Sequence, residues 1–247
     1  MYMSIQEPLS PAHKYYLDGY YTHKFSEKNS SKINELIQEI MVGNIRKGFS
    51  LVSKYPETAD LRPFAADYDE EILDFLIKTG AYDILRKLTG QDLYLYHVQL
   101  RITSPSSNLN EKESYMDWHR DSYYKGGKRI GFFPPVHKIM FYPDFEKKED
   151  ALRLIPGSQK ADLHADQTYQ NLLNNFDKQL IQNLEEKRIP YSNDQVVIFN
   201  AAALHAAGVN QEFNRARLIY SFLTKDQLET VEEQHKNLSK TFYNKVT

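Results

Sequence analysis

The sequence predicts an α+β fold, with helices first and a sandwich or barrel of strands after them. Up to about residue 90, apolar residues recur with a helical period, as in the run from Ile33 to Met41. Beyond that point, short aromatic and β-branched runs alternate with turn signals at spacings of roughly 8–12 residues, which is typical of sandwiches and barrels. Because helices and strands are segregated along the chain, an alternating β/α arrangement is disfavoured.

The helices are expected at particular places in the chain. Ser31 can cap the first helix, since its hydroxyl can accept a hydrogen bond from an amide of the first turn. Asp69–Leu88 repeats the helical period, and Gly80 is expected to divide it into two helices. Asp177–Lys187 is expected as a helix inserted among the strands, and Lys225–Tyr243 as a polar helical tail.

The strand candidates share aromatic or β-branched residues and partly alternating polarity. They are Leu93–Thr103, Tyr115–His119, His137–Tyr142, Leu152–Ile155, Gln195–Phe199, Ala203–Ala207 and Arg217–Leu223. We find no internal repeat and no segment resembling a flexible linker. We therefore expect a single domain over residues 1–247, with a helical N-terminal part (about 1–90), a strand-rich core (about 91–224) and the tail (225–247).

The composition narrows the possible classes of function. There is no cysteine among the 247 residues, which excludes disulfides, thiolate metal sites and cysteine nucleophiles. The formal net charge is −2, so no global basic field points to nucleic acid or an anionic membrane. Met1–Gln6 does not resemble a signal peptide, and no apolar run reaches about 18 residues. We expect a cytoplasmic protein that does not span a membrane.

Two His-x-Asp motifs are candidates for metal chemistry, and their context separates them. With eight histidines and 33 acidic residues among 247, about one His-x-acid pair is expected by chance, so the motif alone proves little. His164-Ala165-Asp166 lies in a polar stretch without strand alternation and indicates a solvated loop or helix start. His119-Arg120-Asp121 ends the aromatic run YMDWH, and residues i and i+2 of a strand share a face. His119 and Asp121 can therefore bind one metal ion.

A third candidate ligand, His205, follows an apolar strand further along the chain. Two histidines and one carboxylate on neighbouring strands form the facial ligand set of non-haem Fe(II) oxygenases, which leaves metal positions open for a cosubstrate and O₂. Small residues around His205 would leave space for bound ligands, although ordinary close packing of strands explains them equally well.

Arg215 and Arg217 follow His205 and can face the same way in a strand. A 2-oxoacid that chelates iron needs a fixed cation for its distal carboxylate, and the planar arginine fork pairs with carboxylates bidentately. One arginine is expected to bind 2-oxoglutarate and the other an anionic substrate or a structural acid. The alternative for either one is a surface ion pair.

The segment Ser122–Pro135 directly follows Asp121 and combines glycines, aromatic residues and three basic residues. It is a candidate lid over the substrate, with Tyr123 as a substrate contact, and a plain connecting loop is the alternative. Its basic residues favour an anionic or zwitterionic small molecule as substrate.

The chain resembles the phytanoyl-CoA dioxygenase-like (PhyH) family of Fe(II)/2-oxoglutarate oxygenases. YYLDGYYTHKFSEKNSSKINELIQEI is similar to the opening strand and first helix of that family, and LRITSPSSNLNEKESYMDWHRD to its strand, loop and Trp-His-x-Asp motif. ALRLIPGSQK resembles the family's Pro-Gly-Ser-His-Lys turn, with Gln159 in place of the usual histidine. LHAAGVN resembles its His-Gly-x-Gly-x-Asn segment, with Ala206 in place of the first glycine.

This resemblance implies a double-stranded β-helix (jelly-roll or cupin-like) core flanked by N-terminal and inserted helices. It also implies Fe(II) as cofactor, bound by His119, Asp121 and His205, together with 2-oxoglutarate and O₂. The arginine that binds 2-oxoglutarate is Arg217 or Arg215, with Arg217 slightly favoured.

Further pocket residues follow from the same resemblance. Gln99 is a candidate contact of 2-oxoglutarate, Arg101 a candidate contact of the substrate, and Lys138 a weaker substrate candidate.

The implied reaction is hydroxylation of an unactivated C–H bond of a small metabolite, with release of succinate and CO₂; desaturation or cyclisation is also compatible. Asp121 argues against a halogenase, because the related halogenases have Gly or Ala at the carboxylate position. The alternatives are a nucleic-acid or protein oxygenase with the same iron site, a cupin-like metal-binding protein without oxygenase activity, and a silent binding module. The formal net charge of −2, close to neutral, disfavours nucleic acid as a substrate. The oligomeric state is left open.

Overall fold

The computed structural model describes residues 9–41, 49–51, 58–63, 70–103, 118–121, 124–125, 128–129, 136–143, 150–160, 175–190, 192–207, 215–229 and 233–246. The helices are α1 (Pro11–Asp18), α2 (Ser31–Met41), α3 (Glu70–Lys78), α4 (Ala81–Thr89), α5 (Asn175–Asn183), α6 (Lys225–Leu228) and α7 (Glu233–Val246). The first strands are β1 (Tyr20–Lys24), β2 (Phe49–Leu51), β3 (Thr58–Pro63), β4 (Tyr94–Thr103), β5 (Tyr124–Lys125) and β6 (Lys128–Arg129). The later strands are β7 (His137–Phe141), β8 (Asp150–Leu154), β9 (Lys187–Pro190), β10 (Gln195–Asn200), β11 (His205–Ala207) and β12 (Arg215–Leu223).

Two antiparallel sheets form the centre of the molecule. The large sheet has seven strands in the order β1-β10-β7-β12-β4-β3-β2, and the small sheet has three in the order β11-β8-β9. Strands β5 and β6 form a separate pair. Neighbours in a sheet come from distant parts of the sequence, so the sheets are assembled mainly by long-range pairing.

The two faces of the large sheet bury different partners. On one face, residues of β4, β7, β10 and β12 pack against α1, α2, α3, α4 and α7 in a core that includes Phe75, Leu85 and Phe222. On the other face, Met140 and Ile219 pack with residues of β8 and β9 in a second core between the sheets. Alternation of side chains along each strand makes this division possible.

The main sequence predictions agree with this architecture. Helix α2 begins at Ser31, but the predicted cap is wrong, because the Ser31 hydroxyl donates to the carbonyl of Lys28 rather than accepting from an amide of the first turn. Gly80 separates α3 from α4 in a left-handed conformation (φ 68°) that glycine adopts without strain. Six of the seven predicted strands correspond to β4, β7, β8, β10, β11 and β12. In the seventh, Tyr115–His119, residues 115–117 lie outside the described part of the chain, and His119 makes an isolated β-bridge.

The expectation that residues 1–90 are mostly helical is wrong for β2 and β3, whereas β1 falls in the segment that resembles the opening strand of the PhyH family. Strands β1, β2 and β3 lie in this part and extend the large sheet at both edges, with Tyr20 of β1 opposite Phe199 of β10. The inserted helix also ends earlier than expected, at Asn183, because Lys187 begins β9 and pairs with Leu154 of β8. Strands β3 and β9 are stabilised by pairing with β4 and β8, and β2 pairs with the nearby β3.

Within the described residues, none of the helices combines the length and the apolar character that a membrane crossing requires.

A buried histidine links α1 to the large sheet. The Tyr15 hydroxyl lies 2.7 Å from Nδ1 of His137 and donates to that nitrogen when the ring is neutral with its proton on Nε2. Both residues are buried, and burial lowers the pKa of His137 to about 4 while raising the pKa of Tyr15 well above its usual value. Burial disfavours the charged form of each group, so the pair is neutral at pH 7.

We predict that the free energy of unfolding decreases as the pH falls from about 6.5 to about 4. In this window the unfolded chain takes up a proton on His137, whereas the folded protein does not, so protonation stabilises the unfolded state. The shift from 6.5 to about 4 corresponds to a loss of roughly 3 kcal/mol at the lower end. Urea unfolding across this window measures the loss, with His137→Gln as the non-titrating control. Equal pH dependence in both proteins would contradict the prediction.

Candidate metal centre

His119 and His205 lie opposite each other in an antiparallel bridge. The amide of each donates to the carbonyl of the other, at 2.9 Å in both directions. His205 is opposite Leu154, which belongs to the core between the sheets, so both histidines face the inter-sheet space. Asp121 is two residues from His119 on the same face, and its amide donates to the carbonyl of Ala201 at 2.8 Å.

The three side chains converge on one point. Nε2 of His205 is 3.2 Å from Oδ2 of Asp121, and Nε2 of His119 is 3.7 Å from Oδ1 of Asp121. The two imidazole rings are 4.3 Å apart between centroids. One nitrogen or oxygen atom from each of the three residues lies within 4.8 Å of the other two, which is close enough for all three to bind one metal ion.

His205 is held in one orientation by its surroundings. Its Nδ1 lies 2.9 Å from the carbonyl oxygen of Ala203, so this nitrogen carries the proton and donates to the carbonyl. The ring of Phe199 packs edge-on against it, with centroids 5.1 Å apart. Nε2 is therefore the ring nitrogen that points toward Asp121, 3.2 Å from Oδ2. This arrangement suits a metal ligand, because the outer hydrogen bond sets both the tautomer and the ring direction.

Asp121 is a carboxylate under strong positive influence. Burial raises the pKa of Asp121, but Lys138 and the neighbouring histidines outweigh burial and hold the pKa well below its usual range. The ammonium group of Lys138 donates a hydrogen bond to Oδ2 of Asp121. Asp121 is therefore ionised at neutral pH, which a metal-binding carboxylate must be.

The donor set fits a ferrous ion. Two imidazole nitrogens and one carboxylate form the facial triad of non-haem iron oxygenases, which leaves positions for other ligands.

Gln99 on β4 has a buried side-chain nitrogen that has no hydrogen-bond partner among the described residues. A buried donor without a partner is costly, so a bound polar ligand at this place would satisfy it.

A row of polar residues shares the inter-sheet face with the cluster. Gln99 is opposite Ile219, which belongs to the inter-sheet core, and Arg217 is two residues from Ile219 on the same strand. Arg101 is directly opposite Arg217. Arg217 and Gln99 are buried, and Arg101 is half-buried. Arg215 begins β12 opposite Thr103 of β4, and its side chain lies outside the described part of the structure.

Of the remaining predicted site residues, the structure describes Lys138 but not Tyr123. Lys138 also lies on the inter-sheet face, opposite Phe199 and Ser221, but it contacts Asp121 rather than an open surface. Tyr123 lies outside the described residues. The same holds for the candidate lid Ser122–Pro135, apart from the two-residue strands β5 and β6.

Two residues that support the site were not anticipated. Arg120 separates His119 from Asp121 in sequence and is buried on the opposite side of the segment. Ser158 accepts a hydrogen bond from the amide of Leu204 at 2.8 Å and donates to the carbonyl of Ile155 at 2.6 Å. Ser158 belongs to the Pro-Gly-Ser turn, which the sequence already shows as similar to the family's turn. The residues next to Arg120 in sequence do not predict that it is buried.

The family model described as Phytanoyl-CoA dioxygenase (PhyH) matches residues 37–212, which is most of the chain. The chain belongs to this family. It is therefore an iron- and 2-oxoglutarate-dependent enzyme, and Fe(II), 2-oxoglutarate and O₂ are the cofactor and cosubstrates of its family. No curated protein sequence matches the chain significantly.

Solved structures with the same fold include enzymes of different activities. EctD from S. alaskensis, solved with 2-oxoglutarate and 5-hydroxyectoine, is 14% identical with a TM-score of 0.65, covering 97% of this chain and 86% of that one. The 2-oxoglutarate-dependent epimerase SnoN from nogalamycin biosynthesis is 11% identical with a TM-score of 0.64, covering 86% and 81%. HygX from Streptomyces hygroscopicus, solved with nickel and 2-oxoglutarate, is 14% identical with a TM-score of 0.58, covering 85% of each chain.

These matches confirm two of the sequence predictions. The PhyH resemblance is confirmed by the family match, and the α+β class with a jelly-roll core is confirmed by the two facing antiparallel sheets and the structural similarities. At identities of 10–16% the structural similarities establish the fold and not the reaction.

We predict that divalent metal raises the melting temperature of the protein through His119, Asp121 and His205. A ligand that binds only the folded state at about 100 times its dissociation constant adds about 2.7 kcal/mol of stability. Thermal denaturation with and without Mn(II) measures this gain, which Asp121→Asn should abolish. Asp92→Asn, a surface change at an ion pair with Arg86, is the control and should keep the gain. An equal gain in Asp121→Asn would contradict the assignment.

Proposed function

We propose that the chain is a dioxygenase that hydroxylates an unactivated C–H bond of a small-molecule metabolite and releases succinate and CO₂ from 2-oxoglutarate. The observation that carries the proposal is the convergence of His119, Asp121 and His205, with an ionised carboxylate among them. A carboxylate at this position leaves no vacant place for a halide, so oxygen transfer is favoured over halogenation.

In this proposal His119, Asp121 and His205 hold the iron. When bound, the iron and its cosubstrate supply the activation of O₂, and the protein supplies binding and orientation. The Ala203 carbonyl keeps the proton of His205 on Nδ1, so that Nε2 is available as a ligand atom. Lys138 stabilises the negative charge of Asp121, which keeps the carboxylate ready for the metal.

The distal carboxylate of 2-oxoglutarate is assigned to an arginine on β12. Arg217 is buried on the inter-sheet face, where a cation can pair with a carboxylate away from competing water. Arg215, the first residue of the same strand, is the second candidate. Gln99 lies on the neighbouring strand β4, and its side-chain nitrogen, which has no hydrogen-bond partner in the described part of the chain, supports a contact with the same cosubstrate.

The substrate side of the site is expected to recognise an anionic or zwitterionic compound, such as a free amino acid. Arg101 lies opposite Arg217 and is half-buried, which suits a residue at the rim of a pocket. Tyr123 and Lys138 are the other candidate contacts. Structures of the same fold have been solved with 5-hydroxyectoine, with hygromycin B and with a nogalamycin compound, and these small molecules support a small-molecule substrate here.

A second outcome at the same site is epimerisation or ring closure. SnoN is described as an epimerase and SnoK as a carbocyclase, and both share this fold. The two outcomes are separated by product mass, because hydroxylation adds one oxygen, epimerisation leaves the mass unchanged and oxidative cyclisation removes two hydrogens. A nucleic-acid or protein oxygenase and a cupin-like protein without oxygenase activity are the remaining alternatives.

The decisive experiment is a screen of metabolite pools for substrate-stimulated succinate release with Fe(II) and 2-oxoglutarate. Hydroxylation predicts a product heavier by one oxygen, and ¹⁸O₂ should label it. Stimulation by single-stranded DNA or peptides instead of metabolites would favour a macromolecular substrate. Absence of any 2-oxoglutarate turnover, with metal binding intact, would favour the cupin-like alternative.

We predict that His119→Ala and Asp121→Ala each abolish succinate formation while the protein stays folded. Removing one of three ligands weakens metal binding and disrupts the open face on which 2-oxoglutarate would bind. Succinate is measured by mass spectrometry, and the fold by circular dichroism. His23→Ala, a half-buried histidine that hydrogen-bonds the carbonyl of Thr79, is the control and should retain turnover. Normal turnover in either ligand variant would refute the iron site.

We predict that Arg217→Gln or Arg215→Gln weakens 2-oxoglutarate binding by roughly 10- to 100-fold, since an ionic hydrogen bond to a carboxylate contributes about 1.5–3 kcal/mol. Metal binding should change little, because neither arginine contributes a ligand atom. Isothermal titration of the Mn(II)-loaded protein with 2-oxoglutarate gives both constants. Arg86→Gln is the matched surface control. Unchanged affinity in both β12 variants would show that the cosubstrate arginine lies elsewhere.

A further inference from the structure

Arg120 is fully buried although it is a permanently charged residue. Its exposed fraction is 1%, and it is the largest of the fully buried side chains among the described residues. It lies between two candidate metal ligands, His119 and Asp121, and the alternation of side chains directs it to the opposite side of their segment. A buried guanidinium is tolerated only when its donors are satisfied, so its partners reveal what it does.

The guanidinium group of Arg120 connects three separate segments of the chain. Nε and Nη2 donate to Oδ1 of Asp177 in α5, at 3.0 and 2.7 Å. Nη1 donates to the carbonyl of Ser158 at 2.7 Å and to the carbonyl of Ala202 at 2.5 Å. Asp177 is itself buried, with an exposed fraction of 2%. The planar fork satisfies all these acceptors at once, which a lysine ammonium on a flexible stem would not reproduce.

Each acceptor of Nη1 belongs to a segment that also positions His205. Ala202 precedes Ala203, whose carbonyl accepts the proton of His205 Nδ1. Ser158 accepts from the amide of Leu204, the residue immediately before His205. Arg120 therefore holds the segment that carries His119 and Asp121 against the turn that aims His205. The contact is made from behind the site and does not occupy the inter-sheet face.

We propose that the buried Arg120–Asp177 pair is a positioning device for the metal centre, which sets the distance between its two ligand-bearing segments and couples them to α5. This inference rests on the metal site proposed above, and it adds a role for residues that touch neither metal nor substrate. Two backbone hydrogen bonds between His119 and His205 hold these residues together, and the amide of Asp121 adds a third to Ala201. Arg120 adds side-chain contacts to both sides of the same junction.

The test measures metal binding and stability in the wild-type protein and in four variants. Arg120→Met/Asp177→Leu removes both charges and leaves apolar side chains, so no buried charge is left unpaired. Arg120→Lys keeps the charge without the fork. Asp177→Asn keeps the side-chain size and an acceptor oxygen but removes the counter-charge of Arg120, and it is the single-site alternative if the double variant does not fold. Tyr220→Phe is the control, because it removes the buried 2.6 Å hydrogen bond to the carbonyl of Ile72 on the helical side of the sheet.

The measured quantities are the dissociation constant of Co(II), the visible spectrum of the bound Co(II) and the melting temperature. We expect Co(II) binding to weaken roughly 10- to 100-fold in the double variant and in Arg120→Lys, with an altered spectrum. Asp177→Asn should show a smaller change in the same direction. Tyr220→Phe should melt at a lower temperature and keep the wild-type affinity and spectrum.

The results separate the two proposals. Co(II) affinity and spectrum that match wild type in the folded Arg120 and Asp177 variants would overturn the positioning role, and so would a loss in Tyr220→Phe of the same size. If wild-type protein binds no Co(II) through Asp121, as judged against Asp121→Asn, the proposed metal site itself fails. In that case no difference among the Arg120 variants is expected.

Discussion

The candidate site depends on one antiparallel contact between two segments that are 86 residues apart in sequence. The reciprocal hydrogen bonds between the backbones of His119 and His205 place two imidazoles on the same face at a centroid separation of 4.3 Å. Because side chains alternate along an extended segment, Asp121 then joins the same face without any further constraint. The other contacts of the site are made to these same residues: the Ala203 carbonyl accepts from Nδ1 of His205, and Lys138 donates to Asp121.

Charge on the two sides of the junction is compensated in different ways. On the inter-sheet side, the ionised Asp121 is balanced by Lys138 in a half-buried setting that stays accessible to a ligand. On the other side, Arg120 and Asp177 compensate each other in full burial. The candidate metal site thus has an accessible side between the sheets and a fully buried side behind it. The two sides are separated because the side chains of His119, Arg120 and Asp121 alternate in direction along the segment.

The polar residues of the large sheet lie on the same side of the sheet as the candidate metal ligands. Gln99, Arg101 and Arg217 lie on neighbouring strands and share the inter-sheet face, while the opposite face of those strands carries apolar residues against the helices. The inter-sheet face of the large sheet therefore combines the second apolar core with the polar residues of the candidate site.

The sequence alone determined the helical period of α2 to α4, the alternation of the main strands and the selection of His119 and Asp121 as candidate ligands, since each of these depends on local pattern. Tertiary structure decided what local pattern does not contain. Strand β1 joins β10 across some 175 residues, Lys138 meets Asp121 rather than an open surface, and Arg120 is buried against Asp177. In each case the partner is remote in sequence, and the free energy that selects the arrangement arises only when the two segments meet.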